Sequence, residues 1–301
     1  MIAAVTLHGQ EALQNIVDDA WQGAHGYHFS GRLTEIRTAP GKDSSRWSAL
    51  YRNTRMLLTS GEEGVVTWRV AGNEWSLRAD DNGYWEIAAN QMLDLKPGWH
   101  EIETTPSASS KAGLFVPDPR NQFGIISDID DTILVSNVLS TRALLKNSLT
   151  VPAELRDAVP KMAALYKVVL KANAAPESSA VFYVSSSPRQ LTDNLRLFLR
   201  AHAFPRGVLL LKEIGYHSGD SMREHDAYKT RRIETILKEF PQTKFYLFGD
   251  DGERDPEIYK TIAETHPEQI VGVWIRRVSP NVSRPIYPGQ HDMKELLATY
   301  K

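Results

Sequence analysis

The sequence predicts an α/β chain in which a doubly wound parallel sheet follows a smaller antiparallel β-sandwich. Two changes of pattern predict it. In the first part, short runs alternate in polarity with period two between Gly, Asn and Asp turns, the habit of strands with one solvated face. In the rest, apolar runs of five to seven residues are separated by amphipathic helical segments, as a parallel sheet covered on both faces requires. The stretch from Thr104 to Gln122, TTPSASSKAGLFVPDPRNQ, is rich in Pro, Ser and Ala and carries the boundary, dividing the chain into residues 1–112 and 113–301.

Upstream, YHFSGRLTEIR, GVVTWRV, EWSLRA, GYWEIAA and WHEIET read as strands, with AGNEW and DDNGYW as hairpin turns because Asn and Gly supply positive φ. Trp75 and Trp85 read as core residues. Residues 9–21 and 44–58 read as helical, since their apolar positions recur at three and four. Downstream, FGIIS, AVFYVS, GVLLL, KFYLFG and IVGVWI read as buried strands. Helices fall at about 153–173, opened by Pro152, then 188–202, 228–240, 256–266 and 291–300. No repeat of solenoid or propeller period is present.

Composition narrows the function. Hydrophobic residues make up 42% and charged residues 24%, a globular balance that excludes disorder as the global state. No apolar stretch reaches the roughly 18 residues of a spanning helix, and MIAAVTLHGQEALQN lacks a basic then apolar leader, so the chain reads as soluble and cytoplasmic. With no cysteine, thiolate zinc sites, iron–sulfur clusters and cysteine nucleophiles are excluded. A net charge of -2 argues against nucleic acid as a partner.

Open parallel sheets bind ligands beyond the carboxyl ends of their strands. FGIIS runs into Asp128-Ile129-Asp130-Asp131-Thr132, AVFYV into Ser185-Ser186-Ser187-Pro188, and KFYLFG into Asp250-Asp251-Gly252-Glu253-Arg254-Asp255. Asp128 and Asp130 point the same way while Ile129 turns to the core. An Asp-rich turn is ordinary as a helix cap. Two acidic clusters and a Ser at the ends of three strands of one sheet are not, and clustered carboxylates without His or Cys favour Mg²⁺. Lys229, opening an amphipathic helix in HDAYKTRRIETIL, is the best-placed cation for a phosphate held among carboxylates, although Arg231 and Arg232 beside it suit a solvated face.

DIDDT, Ser185, Lys229 and GDDGERD, in that order, resemble the four motifs of the haloacid-dehalogenase (HAD) superfamily. FGIISDIDDTI, FYVSSSP and FGDDGERDPEIYKTIAETHPEQIVGVWIRRV are similar to the catalytic domain of the actin-patch-type phosphatidate phosphatases, lipin-like in catalytic logic. PGWHEIE and FVPDP extend the likeness over most of residues 60–280. The resemblance implies a HAD-like fold and a phosphoric monoester hydrolase. Asp128 is then the nucleophile that forms an aspartyl-phosphate, and Asp130 the acid that protonates the leaving oxygen and later activates water. It also implies Mg²⁺ held by Asp128, the Asp130 carbonyl, Asp250 and Asp255, with Asp251 or Glu253 as substitutes. Ser185 and Lys229 would hold phosphoryl oxygens, Thr132 would orient Asp130, and Asp131 would be structural. Ser186 and His225 are the implied substrate contacts, and Arg189 is a further candidate on its own charge.

Two positions depart from the family pattern: Arg189 stands where members usually carry an aromatic, and Tyr228 where they often carry His. A guanidinium after the Ser motif is suited to a phosphate or anionic headgroup. Between DIDDT and the helix at 153 the chain is too short for a large cap, which leaves an open pocket for a bulky or membrane-presented substrate. Leu139, Leu144 and Leu145 suit either a bilayer interface or packing on the sheet. EIGYHSGDSMREHD suits a small lid. The expected reaction is therefore Mg²⁺-dependent hydrolysis of phosphatidic acid, with peripheral membrane contact. The alternatives are a soluble or protein phosphomonoester as substrate, and a phosphate-sensing module without turnover, against which Asp130 argues.

Overall fold

Each run read as a strand forms one in a computed structural model that describes residues 13–35, 61–135, 155–213, 225–278, 284 and 286–299. WHEIET is divided between two. In the N-terminal part, β1 (Leu13–Val17), β2 (Ala20–Gly23), β3 (Gly26–Glu35), β6 (Tyr84–Ala89), β7 (Gly98–Glu101) and β9 (Gly113–Val116) share one sheet. The strands β4 (Gly64–Val70), β5 (Asn73–Ala79) and β8 (Glu103–Thr105) make a second. The period-two pattern does its work in β4, where Val66, Trp68 and Val70 are buried and Val65 is exposed. Both sheets line one core with Phe29, Leu33, Trp85 and Leu114, and Trp75 packs against it.

Two expectations are corrected here. Residues 13–17 and 20–23 are strands, not part of a helix: β1 pairs antiparallel with β3 along its whole length, and tertiary pairing overrides a weak three-four spacing. AGNEW does hold a hairpin turn, with Ala71 and Gly72 at φ 47 and 83 between the paired Val70 and Asn73. DDNGYW does not, because β5 and β6 lie in different sheets. Its turn is closed by Asp80 Oδ1, which accepts from the amides of Asn82 and Tyr84 at 2.9 and 2.8 Å. The strand β9, within the boundary stretch, pairs with β2 and β7 of the first sheet. The readings of 44–58, Leu139, Leu144, Leu145 and 214–224 lie outside the described residues.

The apolar runs form a six-stranded parallel sheet: β10 (Phe123–Ser127), β11 (Val181–Pro188), β12 (Val208–Lys212), β13 (Lys244–Asp250), β14 (Ile270–Arg276) and β15 (Gln290–Asp292). Its order is β12-β11-β10-β13-β14-β15. The last strand, Gln-His-Asp, is too short and too polar to read from sequence. Successive residues of a strand enter opposite cores: Ile125 and Tyr183 meet one, Ile126 and Phe182 the other. Helices α1 (Met162–Leu170), α2 (Thr192–Ala201) and α5 (Met293–Thr299) supply the first core; α3 (His225–Glu239) and α4 (Asp255–Thr265) supply the second.

The helix expected from 153 begins only at Met162. Pro160 offers no backbone N–H, and Lys161 stands at φ 68, outside helical geometry. The residues before it pair with the turn after β10 instead, Val135 donating to the Asp157 carbonyl and Val159 to the Ile133 carbonyl, both at 2.8 Å. The N-terminal sheet docks on the second core through Trp21, whose ring centroid lies 5.6 Å from both Phe182 and Phe240. Among the described residues no helix is long and apolar enough to cross a membrane.

Candidate active site

The chain runs β10, β11, β12 to one side and then returns to β13 beside β10, so the topological switch lies between the strands that end in acidic residues. The Asp128 amide donates to the Phe248 carbonyl at 2.9 Å, locking the two strand ends in register. Ile129 is fully buried, so Asp128 and Asp130 lie on the other side of the turn. Asp128, Asp250 and Asp255 are all buried, and ligand oxygens from the three lie within 4.8 Å of one another.

Lys229 enters this cluster from α3. Its Nζ lies 2.9 Å from Asp128 Oδ1 and 2.6 Å from Asp255 Oδ1, and Glu253 stands off at 3.6 Å. The Lys is buried, so the reading of a solvated face fails for it. One ammonium among the carboxylates of Asp128, Asp250, Asp255 and Glu253 leaves them under-compensated when ionised. Burial pushes the Asp128 carboxyl well above the ordinary carboxylate range, and Asp255 and Asp250 add to this while Lys229 opposes it. Asp250 is pushed well up by burial and by Asp255. Burial opposes the charge of Lys229, but Asp128, Asp255 and Glu253 outweigh it and hold the ammonium well above its ordinary value.

Asp130 is held differently. Ser185 Oγ and Ser187 Oγ both donate to its Oδ2, at 3.1 and 2.9 Å. Burial raises its pKa, and the two hydroxyls, Lys229 and Arg156 draw it back. Two carboxylates thus meet different surroundings, one beside an ammonium and one beside hydroxyls.

Asp255 sits at the first turn of α4 and returns to β13, its Oδ2 accepting from the Asp250 amide at 3.3 Å. That approach needs Gly249, where an added Cβ would stand 2.7 Å from Asp255 Oδ2 and 2.7 Å from the Tyr259 ring. Gly249→Ala is expected to lower turnover by about 10- to 100-fold by pushing Asp255 aside, with circular dichroism unchanged; wild-type turnover would show that the site tolerates the shift.

The other expected residues divide. The Asp251 carboxylate accepts from the Val278 amide at 2.6 Å and from Arg277 at 3.2 Å, fixing the loop after β14. Glu253 stays part-exposed, 3.6 Å from Lys229. Asp131 binds Arg276 through its carbonyl. Thr132 is buried, but its hydroxyl has no hydrogen-bond partner among the described residues; Ser185 and Ser187, not Thr132, hold the Asp130 carboxylate. Ser186 Oγ likewise has no partner among the described residues. His225 opens α3, and its side chain lies outside the description.

Arg189 differs most from expectation. Its buried guanidinium is not offered to a phosphate: Nε lies 3.1 Å from Asp18 and Nη1 2.7 Å from Glu213. Two residues escaped sequence reasoning. Ser187 bonds Asp130, a role that a run of three Ser does not apportion. Arg156 is buried with Asp130 as its electrostatic partner. It falls where a long helix is expected, and there a lone Arg reads as solvated.

Comparison with known proteins places these residues in a family. Residues 123–277 match the model described as "Phosphatidate phosphatase APP1, catalytic domain". The chain is 37% identical over 164 residues to Phosphatidate phosphatase APP1 of Saccharomyces cerevisiae, covering 53% of this chain and 27% of that protein. It is 30% identical over 161 residues to an uncharacterized protein of Schizosaccharomyces pombe, covering 53% of this chain and 26% of that one. The chain thus spans only about a quarter of the length of these curated relatives. Among solved structures, a carbohydrate acetylesterase from Xanthomonas citri aligns at 8% identity over 93% of this chain and 70% of that one. Its TM-score is 0.30, too low to bear on the fold.

Proposed function

Because the chain belongs to the family of the phosphatidate phosphatase APP1 catalytic domain, we propose that it hydrolyses phosphatidic acid to diacylglycerol and phosphate through an aspartyl-phosphate. In this reading the parallel sheet is a HAD-like fold, the two N-terminal sheets are a sandwich carried with it, and the substrate is met at a membrane surface from the cytoplasm. The observation that carries it is the cluster of Asp128, Asp250 and Asp255 around Lys229 at the switch point of the sheet.

The donor set fits Mg²⁺. All three carboxylates are hard oxygen ligands, and Asp250 Oδ2 is buried without a hydrogen-bond partner among the described residues. Asp128, Asp250 and Asp255 would hold the ion, which when bound would neutralise the phosphate and the nucleophile together. Asp128 attacks phosphorus, and the bond from phosphorus to the glycerol oxygen breaks. Asp130, whose burial favours its protonated form, gives that oxygen its proton. Water then attacks phosphorus and yields a proton to Asp130, releasing phosphate and restoring Asp128. Lys229, 2.9 Å from Asp128, meets the charge spread over the transferring group.

The test is phosphate release from phosphatidate in mixed micelles, compared with sugar phosphates and p-nitrophenyl phosphate. Phosphatidate is expected to be preferred, with EDTA abolishing release and added Mg²⁺ restoring it. Preference for the soluble esters would move the substrate to soluble phosphomonoesters. An acyl-phosphate lasting for hours would make the protein a phosphate-sensing module, and indifference to EDTA would reject the metal.

A further inference from the structure

We propose that Asp18 of the N-terminal sheet is a positioning residue for this reaction, acting through Arg189 to hold the Ser185–Ser187 turn against Asp130. The proposal rests on the phosphatase reading only for what the turn accomplishes.

The turn needs an outside support. The strands β11 and β12 stay in register through Ser185 and Leu211, then shift, the next partners being Pro188 and Lys212. Ser186 and Ser187 are therefore left out of the ladder. Yet Ser187 reaches Asp130 at 2.9 Å, and Ser185 Oγ, which also bonds Asp130, accepts from the Ser187 amide at 2.9 Å. A bulge that leaves the ladder for two residues while carrying two hydrogen bonds to a reacting carboxylate depends on what holds its exit, where Pro188 rejoins β12.

Arg189 is the first residue after that exit. Its guanidinium forms an ion pair with Asp18, between β1 and β2, at 3.1 Å without hydrogen-bond alignment, donates to Glu213, at the end of β12, at 2.7 Å, and lies 5.7 Å from the Tyr84 ring centroid. Asp18 is held in turn: Ser30 Oγ donates to it at 2.7 Å, and Thr192 Oγ1 lies 3.3 Å from its Oδ1 and 2.7 Å from the Arg189 carbonyl. The side chains of Asp18 and Arg189 are 5% and 4% exposed, so neither can relax into water. The docking of the N-terminal sheet does not depend on this pair, because Trp21 and Phe115 pack into the second core and Asp19 separately binds Arg196 at 3.0 Å. Removing the pair thus frees the turn without releasing the sheet.

The experiment uses the full chain and the variant Asp18→Asn/Arg189→Met, which removes the two buried charges together and leaves Glu213, 27% exposed, to water. Hydrogen exchange is followed by mass spectrometry, and phosphate release from phosphatidate micelles is measured with Mg²⁺. Exchange is expected to speed up across 185–192 and stay unchanged across 244–250. The kcat is expected to fall by about 10- to 100-fold with KM within about two-fold, as for a group acting only on the reacting geometry. Arg189→Lys, which keeps the charge but not the fork, is expected to fall between, and it serves as the variant of record if the double change does not fold. Unchanged exchange, unchanged kcat, or a loss carried by KM in a folded variant overturns the proposal. Failure of the phosphatase reading is distinguishable, since wild-type protein would then release no phosphate while exchange still reports on the turn.

Discussion

Asp128→Asn is expected to lower phosphate release by about 10⁴-fold or more while leaving the melting temperature unchanged or raised. The two halves come from the same surroundings. A carboxamide keeps the shape of the carboxylate but has no anionic oxygen to attack phosphorus. The carboxylate it replaces is buried beside Asp255 and Asp250, which repel it and help to hold its pKa well up. Lys229 loses one partner but keeps Asp255 at 2.6 Å, so no ammonium is stranded. Thermal denaturation with and without Mg²⁺ checks the second half, and the stabilisation that Mg²⁺ gives the wild type is expected to shrink in the variant. A large fall in melting temperature would show that Asp128 is there to balance Lys229.

How much of this was legible follows a physical line. The buried strands were readable because a parallel sheet covered on both faces needs apolar residues at successive positions, as Ile125 and Ile126 show by entering opposite cores. Asp128 and Asp250 were readable because residues just past such strands meet at the switch point, and Lys229 because a phosphate site needs a cation. Arg189 was misread for a reason equally physical. A charge beside a phosphate motif suggests a ligand, but its partner Asp18 is far off in sequence, and only the docked sheet brings them together. Residues 13–17 took strand geometry from pairing with β3, a cause their own spacing does not contain. Arg156 escaped because the chain before α1 pairs with the turn after β10 instead of coiling.

Lys229→Met is expected to cost about 3–5 kcal/mol of stability at pH 8, the cost of leaving a buried ionic cluster without its partner, and to abolish turnover. Asp128 and Asp255, at 2.9 and 2.6 Å from the lost Nζ, would face each other and Asp250 with no countercharge, and burial denies them water. Their folded pKa values, already raised, would rise further. A carboxyl whose pKa is raised by folding binds more protons folded than unfolded, so stability falls as pH rises from the ordinary Asp value to the raised one. The deficit against wild type is therefore expected to shrink between pH 8 and pH 5.5. In the proposed reading Mg²⁺ would supply the missing charge by another route, and it is then expected to raise the urea midpoint of the variant more than that of the wild type at pH 8. A deficit indifferent to both pH and Mg²⁺ would assign the loss to the packing of the lysine stem. A deficit answering to both would tie the fold of the strand ends to the same charge balance on which catalysis draws.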